Sequence, residues 1–83
     1  MITIEYWDKI VPVAGSTEGL SKKAQELHAF LLEWHAESGT PIEVQDLAHR
    51  FGPYHKVLKK RIPPREELAA LVDASLAYIA EGA

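Results

Sequence analysis

The chain has 83 residues, a formal net charge of −3 and no cysteine. This length predicts one small domain over residues 1–83, and so short a chain buries only roughly 60% of its unfolded surface. The absence of cysteine excludes disulfides, thiolate metal sites and cysteine nucleophiles. The start of the chain lacks the pattern of a signal peptide, and no apolar run approaches about 18 residues, so we expect a cytoplasmic protein without a membrane span.

The first predicted element is an extended arm with a loop, over residues 1–20. Residues 2–7 place Ile2, Ile4 and Tyr6 at every second position, which is the period of a strand. We therefore predict a short strand or an extended arm at residues 2–7. A lone strand cannot satisfy its own backbone, so it must pair with residues 10–13, pair with another subunit or pack on helices.

The segment over residues 21–82 is expected to be a helical core that begins with two helices. The first runs from about Ser21 to Ser38, has an apolar stripe at helical spacing and ends at Gly39. The second has Thr40 as its candidate N-cap, with Glu43 completing a capping box. It ends at Gly52, which we expect to adopt the left-handed conformation that favours glycine.

Two further helices complete the expected core. A third runs from Pro53 to about Arg61, with Tyr54, Val57 and Leu58 pointing inward. A fourth runs from Pro64 to about Glu81 and is rich in alanine. The fold class expected from the sequence is thus mainly α, a small four-helix domain with a short N-terminal strand or extended arm.

Positive charge is concentrated in residues 48–65, which we call the basic segment. It carries a charge of +6 with no acidic residue, whereas residues 1–47 carry −5 and residues 66–83 carry −4. A protein that is acidic overall can still bind DNA through one such region, because local potential guides binding more than net charge does. The alternatives are an acidic partner protein and a solvated helix face balanced by acidic neighbours.

Part of the basic segment belongs to a region, about residues 41–62, that resembles a helix-turn-helix DNA-binding domain. The resemblance is carried by Leu47 and Ala48 in the first helix, Phe51 and Gly52 at the turn, and Leu58 and Ile62 in the second helix. In that family a small residue four positions before the glycine lets the helices cross closely, and an apolar residue six positions after it anchors the second helix. Pro53 departs from the pattern, since the family usually has an aliphatic residue there.

The resemblance implies a non-enzymatic protein that binds double-stranded DNA and regulates transcription, with a homodimer as one expectation. Small acidic helical proteins of phages and other mobile elements offer an analogy. The second helix of the pair would lie in the major groove, and positive side chains would contact bases and phosphates. The implied DNA-binding residues are Arg50, His55, Lys56, Lys59, Lys60, Arg61 and Arg65.

The alternative function is a small adaptor or inhibitor that binds another protein through its basic helix or an aromatic surface. Trp34 is expected in the core with Trp7 covering it, or else these aromatic side chains anchor a dimer or a partner. His28 and His35 are two helical turns apart, too far to share one zinc ion. We found no phosphate loop or nucleophile motif, so we expect no enzymatic activity, metal or cofactor.

Overall fold

The computed structural model describes residues 4–80, and over this range the fold is α+β. The elements in chain order are β1 (Lys9–Pro12), α1 (Lys22–Ser38), β2 (Ile42–Glu43), a 3₁₀ helix (Val44–Leu47), α2 (Ala48–Phe51), β3 (Tyr54–His55), β4 (Lys60–Arg61), α3 (Arg65–Asp73) and β5 (Ala77–Ala80). The prediction of a mainly α, four-helix domain is therefore wrong. Only the first of the four expected helices is present at its full length.

Helix α1 has the bounds that its capping residues predict. The Ser21 hydroxyl accepts a hydrogen bond from the backbone N–H of Ala24 at 3.2 Å. At the other end Gly39 adopts a left-handed conformation with φ 70°, and its N–H donates to the carbonyl of His35. Both ends are thus satisfied by local groups, which explains why this helix could be identified from the sequence.

A three-stranded antiparallel sheet has the order β2–β1–β5. Ile10 is the central residue of its inner face, where it lies opposite Ile42 on one side and Ile79 on the other. The inner face packs against α1 and α3, and the core lies between these layers. The core residues are Ile4, Ile10, Leu27, Leu31, Ile42, Val44, Leu47, Leu68, Leu71, Leu76 and Ala77.

The N-terminal arm does pack on this core, but it is not the strand that residues 2–7 predicted. Tyr6 and Trp7 lie in a turn, the strand begins at Lys9, and residues 2 and 3 lie outside the described residues. Ile4 is buried in the core. The carbonyl oxygens of Tyr6 and Asp8 accept hydrogen bonds from the backbone N–H groups that begin the 3₁₀ helix. The arm is therefore held by both side-chain and backbone contacts.

The second expected helix starts later than predicted, and its capping box is not formed. Glu43 lies in β2 with an extended backbone, and the Thr40 hydroxyl donates to the Ser38 hydroxyl oxygen instead. Tertiary contacts override the local capping signal, because Ile42 pairs with Ile10 in the sheet. The helical segment does end at Gly52, but with φ −78° and ψ 143°, so the expectation of a left-handed glycine is also wrong.

The third expected helix is absent, and residues 53–62 form a hairpin instead. Strand β3 pairs with β4 in antiparallel register, with Tyr54 opposite Arg61 and His55 opposite Lys60. The N–H of Ile62 donates to the carbonyl of Pro53 at 3.0 Å and closes the base of the hairpin. The second helix of a helix-turn-helix pair is consequently missing from the structure.

The fourth expected helix is cut short and followed by a strand. Helix α3 ends at Asp73, and Ser75 then adopts a positive φ of 60°. The chain reverses there, and the N–H of Leu76 donates to the carbonyl of Leu71 at 2.8 Å. The alanine-rich remainder becomes β5, which pairs with all four residues of β1.

Candidate functional site

The hairpin over residues 53–62, which we call the basic hairpin, displays most of the basic segment. Lys56 and Lys59 lie in its four-residue loop, and Lys60 and Arg61 form its second strand. All four side chains are exposed. No acidic residue occurs between residues 48 and 65, so these charges have no negative neighbour within the hairpin itself.

The loop of the basic hairpin is held by its own side chains and backbone. The backbone N–H of Leu58 donates to Nδ1 of His55 at 3.1 Å, which assigns His55 an acceptor role within the loop. Lys59 has a φ of 54°, in the left-handed region where a non-glycine residue is uncommon. This conformation suits glycine or asparagine and is strained for lysine. The position nevertheless carries a positive charge.

The base of the basic hairpin lies against the end of α2. One guanidinium nitrogen of Arg61 donates to the carbonyl of Gly52 at 3.1 Å. Between the hairpin base and the 3₁₀ and α2 helices lies an open cleft of about 300 Å³. The cleft is lined by Tyr6, Gln45, Ala48, His49, Lys60, Arg61, Ile62 and Pro63, a set without any carboxylate.

The structure does not bring all seven predicted DNA-binding residues together. The guanidinium of Arg50 lies over the ring of Phe30, with its carbon 4.9 Å from the ring centroid. That contact borders a second cavity lined by Phe30, Glu33, Trp34, Glu37 and Arg50. Arg50 thus faces an acidic and aromatic environment on α1. Arg65 stacks on Tyr6 at 4.8 Å, close to the cleft at the hairpin base.

Three apolar residues of the hairpin were assigned wrongly from the sequence. Tyr54, Val57 and Leu58 were expected to point inward from a helix, yet their exposed fractions are 59%, 83% and 52%. The spacing itself gave no warning, because positions 54, 57 and 58 follow the i, i+3, i+4 period of one helical face. The signal that could have found the hairpin is the proline at each end of the segment, since proline commonly marks turns and loop boundaries.

The two tryptophans and His28 lie outside the basic hairpin. Trp34 is 41% exposed and Trp7 is 69% exposed, so the expectation of Trp34 in the core is wrong. His28 is buried, and its Nε2 donates to the carbonyl of Val13 at 2.8 Å, linking α1 to the end of β1. Within residues 4–80 there is no group of three or more histidine or acidic residues that could hold a metal ion.

Comparisons with protein-family models, with curated proteins and with solved structures found no match. Among residues 4–80, every helix is too short or too polar to span a bilayer.

Proposed function

We propose that this protein is a non-enzymatic DNA-binding protein that contacts the duplex with its basic hairpin rather than with a recognition helix. The observation that carries the proposal is the exposed set of four cations on one hairpin, in a segment that has no acidic residue. A surface that is merely solvated would be expected to mix both signs, as residues 1–47 do.

The physical basis is attraction to the phosphate backbone. Each lysine or arginine that neutralises a phosphate releases condensed counterions, which favours binding at low salt. The acidic remainder of the chain is repelled by the same backbone, so the field of the whole protein turns the hairpin toward the duplex. A two-stranded ribbon also has dimensions that a DNA groove admits.

Individual roles follow from the contacts of each side chain. Lys56, Lys59 and Lys60 supply point charges for phosphates. Arg61 uses one nitrogen to hold the hairpin base, and its guanidinium has further N–H donors for a phosphate oxygen. Lysine acts mainly as a point charge, so the proposed binding depends more on the backbone and shape of the duplex than on its sequence.

The test is a salt-titrated binding assay with random duplex DNA. The double variant Lys59→Glu/Lys60→Glu should abolish binding while circular dichroism still reports the native fold. A double variant Lys59→Ala/Lys60→Ala should bind weakly and flatten the slope of log K against log salt by roughly 1.8, because two phosphate contacts are lost.

A matched control is the pair of single reversals Lys59→Glu and Lys22→Glu, which change the net charge equally. Lys22 is an exposed residue in the first turn of α1, far in sequence from the hairpin. We expect Lys22→Glu to retain most of the affinity and Lys59→Glu to lose it. Equal losses would mean that net charge alone governs binding, and unchanged affinity in both would contradict the proposal.

The second candidate is a small adaptor that binds another protein, and exposed aromatic residues favour it. Tyr78 is 52% exposed on the outer face of the sheet, opposite Val11, and Trp7 is 69% exposed in the turn before β1. Polyglutamate distinguishes an acidic protein partner from DNA. If polyglutamate binds the hairpin as tightly as duplex DNA at the same salt, the adaptor is favoured over the DNA-binding protein.

A further inference from the structure

The loop of the basic hairpin exposes an apolar pair that the core does not explain. Val57 is 83% exposed and Leu58 is 52% exposed. Neither belongs to the buried cluster or to the partly buried residues packed against it. Single exposed apolar residues are ordinary on a protein surface, but two adjacent large ones that the core does not cover make this loop a candidate contact surface.

The surroundings of this pair define the kind of partner. Lys56 precedes Val57 and Lys59 follows Leu58, so the apolar pair is flanked by positive charge on both sides. An apolar protein surface would have to desolvate both ammonium groups. A DNA duplex offers anionic phosphates on each side of an apolar base stack, which matches the order of charges and methyl groups along the loop.

We propose that Val57 and Leu58 form a wedge that enters the minor groove and partly unstacks one base step, bending the duplex. The proposal rests on the DNA-binding function proposed above and specifies how that binding occurs. Proteins that bend DNA in this way insert aliphatic or aromatic side chains between bases while cationic residues hold the backbone. Steps that unstack easily, such as TA and CA, would be preferred.

The loop is suited to this role because contacts within it favour one shape before binding. The hydrogen bond from the N–H of Leu58 to Nδ1 of His55 holds the turn, and the left-handed Lys59 returns the chain into β4. A preformed loop loses less conformational freedom on binding than a flexible one. The hairpin therefore presents the wedge and its flanking lysines together.

The experiment uses the full chain and a duplex with 2-aminopurine beside one central TA step and dyes at the two ends. Saturating protein should raise the 2-aminopurine fluorescence, because the base is unstacked, and should raise energy transfer between the ends, because the duplex bends. The double variant Val57→Ala/Leu58→Ala should lose both signals at saturation. Its affinity should fall less than about tenfold and its salt slope should stay unchanged, because its lysines still neutralise the same phosphates.

Two further variants separate the wedge from simple charge. Leu58→Met should keep both signals, since methionine also serves as a wedge residue. Lys56→Ala should lower affinity and salt slope but keep the bend once the duplex is saturated. If wild-type protein binds a duplex that stays straight and stacked, or if the double alanine variant bends DNA like wild type, the wedge is overturned and DNA binding stands. If wild-type protein does not bind the duplex even at low salt, the proposed function fails and the wedge fails with it.

Discussion

The carbonyl oxygen of Ile62 lies where a β-carbon would stand on Gly52. The carbonyl oxygen of Ala48 is also within 2.7 Å of that position. The base of the basic hairpin therefore meets the end of α2 backbone to backbone. Glycine is required here for this close approach and not for its conformation, because the φ of Gly52 is −78° and open to any residue.

Replacing Gly52 with alanine should therefore destabilise the fold strongly. The added methyl group overlaps backbone atoms that belong to two elements and cannot rotate away. We expect a loss of more than about 3 kcal/mol in the free energy of unfolding, measured by urea denaturation followed by circular dichroism.

Gly39→Ala is the matched control for this substitution. Gly39 has a φ of 70°, but nothing lies within 4 Å of its added β-carbon. Only the left-handed backbone opposes alanine there, so we expect a loss of about 1 kcal/mol. If Gly52→Ala were no worse than Gly39→Ala, the hairpin base would not lie against α2 as described.

Leucine truncations should separate the core from the hairpin loop. Leu31 and Leu47 are both fully buried, so Leu31→Ala and Leu47→Ala should each lower the free energy of unfolding by about 2–5 kcal/mol. Leu58→Ala makes the same chemical change at an exposed residue and should change stability by about 0.5 kcal/mol or less. Thermal melts of the three variants check this order, and a large effect of Leu58→Ala would place that side chain in the core.

Ser75 marks the point where the chain leaves α3 for β5. A non-glycine residue at φ 60° is strained by its β-carbon, and glycine removes that strain. The backbone entropy that glycine loses on folding offsets only part of this gain. Ser75→Gly should therefore stabilise the protein by about 0.5–1 kcal/mol, and Ser75→Val should destabilise it, because β-branched residues fit this region worst. Were Ser75→Gly clearly destabilising in denaturation experiments, the helix would continue through this position as the sequence had predicted.

The N-terminal arm should contribute to stability through Ile4. Deleting residues 1–8 removes a core side chain and two carbonyl acceptors of the 3₁₀ helix. Ile4→Ala alone should lower the free energy of unfolding by about 2–5 kcal/mol, and the deletion should lower it at least as much. Trp7→Ala should have little effect, since that side chain is mostly exposed.

Sedimentation of the full-length and truncated chains tests the expected homodimer at the same time. A dimer held by the arm would dissociate on truncation and lose DNA affinity, whereas a monomer would lose stability alone. A truncated chain with unchanged mass, melting temperature and binding would show that the arm contributes nothing.

Helix α1 could be predicted from the sequence because every group that defines it is local. Ser21 and Gly39 satisfy its ends, and its apolar stripe follows the helical period. The concentration of positive charge in residues 48–65 could be found in the same way, since charge depends on residue type alone. The buried leucines of α3 were also recognisable, because Leu68 and Leu71 keep helical spacing.

Only the tertiary structure decided the conformation of residues 42–43, 53–62 and 77–80. In each of these segments a short apolar pattern fits a helix and a strand almost equally well. Strand β5 forms because β1 needs a hydrogen-bonding partner, and Ile79 completes the inner face beside Ile10. The basic hairpin forms where Gly52 lets two backbones meet. The contacts of β2 and β5 with β1 join residues distant in the chain, so the free energy that selects strand over helix there comes from pairing and burial rather than from local propensity.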